Sequence, residues 1–136
     1  MSNIDPRTGL LILDEATCWE LVASKQIGRI AVAAANRPDI FPMNYALDGQ
    51  HLVFQTLPGI KLASAVLGKA VAFEIDEMDE EAHTGWSVVI HGVASEIEGT
   101  ENLLAAEALG IRPWAESPKY RYLRLTADSI SGRRVP

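Results

Sequence analysis

Two tight turns in the first half of the chain restrict what it can fold into. Asn36-Arg37-Pro38-Asp39 separates Arg29–Ala35 from Ile40–Leu47, and Asp48-Gly49 separates that second segment from Gln50–Thr56. These segments read as strands, with β-branched Ile30 and Val32 in the first and alternation across the third. Strands joined by so few residues run antiparallel, because a parallel neighbour needs a crossover of about a dozen residues. A doubly wound α/β fold is therefore disfavoured. Ala70–Asp76 adds a fourth strand on the alternation of Val71, Phe73 and Ile75. Gly85–Ile97 is a fifth, with Gly92 marking a bulge or bend. Lys119–Thr126 is a sixth, and Ile130–Val135 a short final segment. Mainly β structure is predicted: a small six-stranded antiparallel barrel with short helices at its ends.

The helices are marked by their caps. Asp14 is a good N-cap for a helix over 15–25, with Cys18, Leu21 and Val22 on one side and Trp19 beside them. Thr100 can cap a helix over 101–109 that Gly110 stops. Residues 1–13 read as a loose N-terminal arm and 77–84 as an acidic loop. At 136 residues the chain fits one domain, 1–136, long enough to bury roughly 68% of its unfolded surface.

Charge and cysteine usage narrow the function classes. A net charge of −6 argues against a general nucleic-acid binder. Glu74–Glu81 holds six acids, whereas Arg112–Arg134 holds six bases against two acids. Both runs suit a solvated surface; the basic one could instead face an anionic ligand. The single cysteine, Cys18, permits no intrachain disulfide and fits a reducing cytoplasm. No secretory signal and no membrane-spanning stretch is read. The three histidines show no metal-ligand spacing.

The stretch with most chemistry in it is Val53–Leu67, VFQTLPGIKLASAVL. A strand breaks at Leu57-Pro58-Gly59 and a short helix follows, with Ile60, Ala63 and Leu67 on one face. Thr56 precedes the break and Lys61 sits in the first helical turn. Free N–H groups, a hydroxyl and an ammonium would converge there as a phosphate cradle. The same pattern also suits a plain strand-to-helix corner with an exposed lysine. Pro42, inside the second strand, implies an edge, a bulge, or a place where something other than a strand fills the gap.

The order of motifs resembles the pyridoxamine-5′-phosphate-oxidase-like split barrels, also called flavin/deazaflavin oxidoreductases. The resemblance runs from about Arg7 to Val135. Its motifs are GRIAV (Gly28–Val32), PMNY (Pro42–Tyr45), VFQT-PGIKL (Val53–Leu62), VAFEID (Val71–Asp76), TGWSV (Thr84–Val88), LGIRPW (Leu109–Trp114) and SGRRV (Ser131–Val135). It implies a homodimer with two flavin clefts, each lined by both copies. It also implies that Pro42, Met43, Asn44 and Tyr45 run along the isoalloxazine edge. Phe54, Gln55, Thr56 and Lys61 would belong to the strand and corner that hold the phosphate, and Trp86 and Ser87 would reach the ring from the partner copy. Trp86 could equally be a core aromatic, and Trp114 either a plug for the barrel end or a lid. The family often carries Arg at Gln55, Ser or Thr at Ile60, and Arg at His91. Loss of one charge-assisted phosphate contact weakens binding by about one or two powers of ten.

The resemblance therefore implies an FMN-binding oxidoreductase whose cofactor does the chemistry. Two alternatives share the fold. One is a reductase using the deazaflavin F420, whose anionic tail would meet Lys119, Arg121, Arg124, Arg133 and Arg134. The other is a non-catalytic protein that binds flavin or another planar ligand. No residue stands out as a catalytic acid or base, and the substrate is not legible.

Overall fold

The two hairpins set the frame. In the computed structural model, which describes residues 3–56, 62–112 and 121–136, β2 (Ile27–Ala34), β3 (Arg37–Asp48) and β4 (His51–Thr56) form an antiparallel meander. The first turn is tighter than the sequence suggests. Only Ala35 and Asn36 lie outside the strands, at φ 50° and 64°, as a two-residue turn with both central residues left-handed requires. Arg37, Pro38 and Asp39 join β3. The second turn is Gly49-Gln50, with Gly49 at φ 63° and Asp48 closing the strand.

β5 (Ala70–Asp79) pairs with β2, β6 (Thr84–Glu96) pairs with β5, and β7 (Arg121–Arg134) pairs with both β6 and β4. The ring β4-β3-β2-β5-β6-β7 is thereby closed, the six-stranded antiparallel barrel expected. A short seventh strand, β1 (Leu11–Leu13), pairs with the far end of β7. The N-terminal arm is thus partly tied down: Ile4 bridges Leu11, and buried Asp5 accepts from the Arg7 backbone and guanidinium. The expected acidic loop shrinks to residues 80–83, because its first residues extend β5. The two C-terminal segments are one 14-residue strand, although Lys119 and Tyr120 lie outside the described residues.

That long strand needs a correction in mid-course. His91 pairs with Ser129 and Gly92 with Ala127, so Asp128 is the extra residue of a bulge. The bulge expected at Gly92 is there, with its additional residue on the partner strand. Glycine is required because a Cβ at 92 would lie 2.1 Å from the Thr126 carbonyl oxygen.

The interior is filled from alternate positions: Ile30 and Val32 of β2, Phe54 of β4, Phe73 and Ile75 of β5, Val88 and Ile90 of β6, Leu123 and Leu125 of β7. α1 (Glu15–Ala23) is capped by Asp14, whose carboxylate accepts from Thr17 N at 2.8 Å. It lays Cys18 and Val22 on the barrel. Cys18 is fully buried, and burial, with Asp14 and Glu15 nearby, pushes its thiol up in pKa, as a core residue and not a nucleophile. α2 (Leu62–Val66) buries Leu62, Ala63 and Val66. α3 (Thr100–Glu107) is entered through Gly99 at φ 90°, so Thr100 is its first residue and not its cap. α3 covers the outside of β4 and β7, where Val53, Ile97 and Ala106 form a second small core.

Gly92→Ala is expected to cost about 3 kcal/mol, because the methyl group meets backbone and cannot be accommodated by a rotamer change. Urea denaturation measures it; a loss under about 1 kcal/mol would contradict this strand crossing.

Candidate functional site

The ladder between β3 and β4 is short. It runs from Asp48–His51 only to Tyr45–Phe54. Beyond that point β4 goes to β7 alone and β3 to β2 alone. In an antiparallel ladder, successive residues direct their backbone groups to opposite neighbours. Tyr45 N donates to Gln26 O at 3.0 Å, so the odd-numbered residues of β3 serve β2. Pro38, Ile40, Pro42 and Asn44 then direct theirs to the open edge. Both prolines stand where a missing N–H breaks no ladder, which makes Pro42 an edge proline and also protects the edge from joining another sheet. Among the described residues, the N–H groups of Ile40 and Asn44 and the carbonyls of Pro38, Ile40 and Pro42 meet no neighbouring strand on that edge.

Thr56 ends β4 beside this opening. It is 3% exposed, and its Oγ1 is buried with no hydrogen-bond partner among the described residues. Gln55 donates from Nε2 to the Tyr122 hydroxyl at 2.8 Å, leaving a buried Oε1 without a partner. Asn44 Nδ2 donates to the Arg112 carbonyl. Two orphaned oxygens at neighbouring positions are costly unless something pairs with them. They lie on opposite faces of β4, Thr56 on the side of Phe54 and Gln55 on the side of Val53, so Thr56 is the one placed to meet a ligand's hydrogen-bonding group. Lys61 and Trp114 lie outside the described residues.

The other anticipated residues divide between wall and core. The side chains of Met43, Tyr45 and Phe54 are buried in the barrel interior. Tyr45 stands edge-on to Phe73, with centroids 5.4 Å apart, and its hydroxyl donates to the Val22 carbonyl. Burial raises the pKa of that hydroxyl. Phe54 also faces Phe73, 6.3 Å away. For these three, only backbone is left to meet a ligand. Trp86 and Ser87 are on β6, across the ring from β3. The structure does not bring them to Pro42–Tyr45 within one chain. Trp86 is part of the core and also walls an open cavity of about 610 Å³ with Glu77–Glu81 and Arg134.

A second cavity, about 380 Å³, lies between the end of α1, residues 44–47 of β3, and residues 109–112. Lys25 in its wall sits 3.0 Å from Glu77 of the other cavity. Hydrogen bonding from Lys25, then its charge, holds the Glu77 carboxyl below its usual pKa range, and Trp86 adds a further hydrogen bond. Lys25, Gln26 and Tyr122 carry no motif, and Arg112 falls within LGIRPW without being singled out as a site residue. Only the fold gathers them.

Residues 14–134 match the family described as pyridoxamine 5'-phosphate oxidase. The chain belongs to that family. It is similar to the FAD binding protein from Mycobacterium smegmatis, at 36% identity and a TM-score of 0.80 over 90% of this chain and 98% of that one. It is similar to a conserved protein of unknown function from Corynebacterium diphtheriae, at 33% identity and 0.79 over 95% and 98%. A curated relative, an uncharacterized protein of Mycobacterium tuberculosis, is 29% identical over 90% of this chain and 84% of its own length.

One outer face of this family member is left bare. α3 covers β4 and β7, but the outside of β3, β2, β5 and β6 carries Ile40 at 68% exposure, Ile27 at 43% and Val93 at 41%, with Ala31, Ala72 and Val89 in the same rows. Among them, Arg29 Nη1 lies 3.4 Å from Glu74 and 3.7 Å from Asp76. One guanidinium serves two carboxylates. Burial, then the neighbouring Asp76, raises the Glu74 pKa to about 7, with Arg29 opposing. A carboxyl raised in the folded state binds its proton more tightly there than in the unfolded chain. Its contribution to stability is complete below about pH 4.5 and is lost as pH rises through about 7. Glu74→Gln should therefore flatten the melting-temperature profile between pH 5 and 7.5 and melt higher than the parent at pH 8. Parallel profiles for parent and variant would refute this account of the cluster.

Proposed function

We propose that this chain is a flavin-binding oxidoreductase acting as a homodimer, each flavin lying in a cleft lined by both copies. The observation that carries the reading is the buried Thr56 hydroxyl, which has no partner among the described residues, at the point where the β3–β4 ladder opens. A phosphate oxygen is a natural partner for it. The open edge of β3 adds donors at Ile40 and Asn44, placed to meet the heteroatoms of a flat ring. The 36% identical relative named as FAD binding supports a flavin of some kind.

When bound, the flavin would supply hydride and electron transfer. The chain's own residues bind and orient: Thr56 donates to phosphate, the β3 backbone donates to the ring edge, and the apolar interior behind Tyr45 and Phe54 keeps β3 and β4 in place. The bare outer face and the position of β6 support a pair of chains. Trp86 and Ser87 sit across the ring from β3, so a contact from them to a ring on β3 would come from another copy.

FMN, as the resemblance implies, is a flavin with a phosphate to meet Thr56. The F420 alternative draws on the phosphate donors missing at Gln55 and Ile60 and on a basic cluster, and the described members of that cluster are split between the two ends of β7. Arg121 is ion-paired with Glu96, and Arg124 lies 3.5 Å from Asp48. Arg133 and Arg134 are at the opposite end of a 14-residue strand.

Titration of the purified protein with FMN, followed by flavin fluorescence, tests the reading. Thr56→Val, which keeps the shape and removes the donor, should weaken FMN binding about tenfold. Sedimentation should return twice the 14.8 kDa chain mass. No flavin binding at tens of micromolar would remove the proposal.

A further inference from the structure

The bare outer face joins the two sets of residues that a shared cleft needs. β3, with its open edge, bounds the face on one side and β6, with Ser87, on the other; β2 and β5 lie between. Ile27 pairs with Asn44, and Asp76 pairs with Ser87. Ile27 and Asp76 each lie two residues beyond the rung Arg29–Glu74, so Asn44, Ile27, Asp76 and Ser87 share one line across the face. Three strand spacings, about 14 Å, separate its ends. A twofold axis running along the strands between β2 and β5 lays a second copy nearly aligned on the first, as stacked sheets prefer. It sets the partner's Ser87 over Asn44 and the partner's Glu74 over Arg29. A guanidinium then meets a carboxyl in both directions, so the face is complementary to itself. Ile40, Ala31, Ala72 and Val93 supply the surrounding apolar surface.

The charges at the centre do not balance. Each copy brings one guanidinium, Arg29, with Glu74 at 3.4 Å and Asp76 at 3.7 Å. With all of them ionised, a pair of copies encloses two uncompensated negative charges; with Glu74 protonated, the centre is neutral. Burying an unpaired charge is costly. Around Glu74, β2 presents only Arg29, β5 adds Asp76, and β6 presents His91, one rung away beside Ala72. Asp128 shares a groove with His91, and Arg133 of β7 pairs with Ser87. We infer that the two copies meet on this face and that Arg29, Glu74 and Asp76 form a proton-operated latch, which holds the pair and its clefts together when Glu74 carries a proton and loosens them when it does not. The inference rests on the homodimer proposed above and adds what regulates it. Burial sets the direction. The Glu74 carboxyl is raised to about 7 in the single chain, and a second copy takes more water from it, which favours the protonated form further. Dissociation is therefore flat in pH below about 7 and grows as pH rises beyond it, with up to two protons released per pair.

Sedimentation equilibrium of the full chain at pH 6 and pH 8, over a range of concentrations, measures the latch. The dissociation constant of the parent should rise at least tenfold from pH 6 to pH 8. Glu74→Gln, which keeps the shape and the Arg29–Asp76 contact, should hold the pH 6 value at both. His91→Gln should keep the parent's slope. Ile40→Lys, at a position 68% exposed, should leave a monomer at pH 6 that is folded by circular dichroism. In parallel, flavin fluorescence should show FMN binding weaken at pH 8 in the parent and not in Glu74→Gln. A dimer with one constant at both pH values, or with a slope that survives in Glu74→Gln or vanishes in His91→Gln, overturns the latch and leaves the homodimer standing. A dimer untouched by Ile40→Lys puts the contact elsewhere and also overturns it. A monomer at both pH values removes latch and homodimer together, whereas a pH-dependent dimer that binds no FMN removes the flavin reading and not the latch.

Discussion

Every strand of the barrel depends on β7 serving two ladders at once. Residues 121–126 pair with β4 on one side, and residues 123–126 with β6 on the other. Farther along, residues 132–134 pair with β6 and with β1. A single straight strand cannot keep both partners as the sheet twists and curls. The bulge at Asp128 supplies the bend, and Gly92 lets the backbones approach where that bend occurs. Closure at β7 then dictates where the barrel opens. β4 is held along its full length by β7, and β3 along its first eight residues by β2, so the short β3–β4 ladder is the seam that parts. The candidate site lies at that seam for this mechanical reason.

The seam also explains why polar groups lie unmatched there. Ladder hydrogen bonds satisfy backbone groups wherever strands stay together. Where they part, side chains and backbone lose partners simultaneously, and Thr56 and Gln55 are the residues affected. Asn44 and Arg112 show one local solution, a side-chain amide on a backbone carbonyl. Tyr122 provides another for Gln55 Nε2. Thr56 Oγ1 has neither. A buried hydroxyl with no partner is destabilising by about 1–3 kcal/mol, and a ligand that accepts from it recovers that energy on binding.

Legibility in the sequence followed the physics of each signal. Turn chemistry is local, so both hairpins and the antiparallel class could be read from Asn36 and Asp48-Gly49. The first turn came out shorter than read, because a two-residue loop needs left-handed residues and Ala35 adopts that conformation against its preference, and the second moved by one residue, to Gly49-Gln50. Pro42 was readable as an edge residue, since a missing donor has few places to go. The continuity of β7 was not readable, because Asp128 and Ser129 resemble a loop until β6 is known to lie alongside. Lys25 and Arg112 were not readable as neighbours of one cavity. They are 87 positions apart in sequence, and neither lies in a pattern that periodicity or spacing would mark.

The distribution of burial on β4 connects fold to function. Phe54 and Val53 are both fully buried, one in the barrel and one beneath α3, so β4 is pinned from two sides and cannot follow β3. Thr56 is held by the same strand. Its hydroxyl therefore keeps its position without a hydrogen bond of its own, which is the condition for a donor that loses little freedom when a ligand arrives. A looser β4 would let Thr56 turn toward a backbone carbonyl and satisfy itself. The two cores on either side of β4 keep that option closed, and the polar atom at the seam stays available.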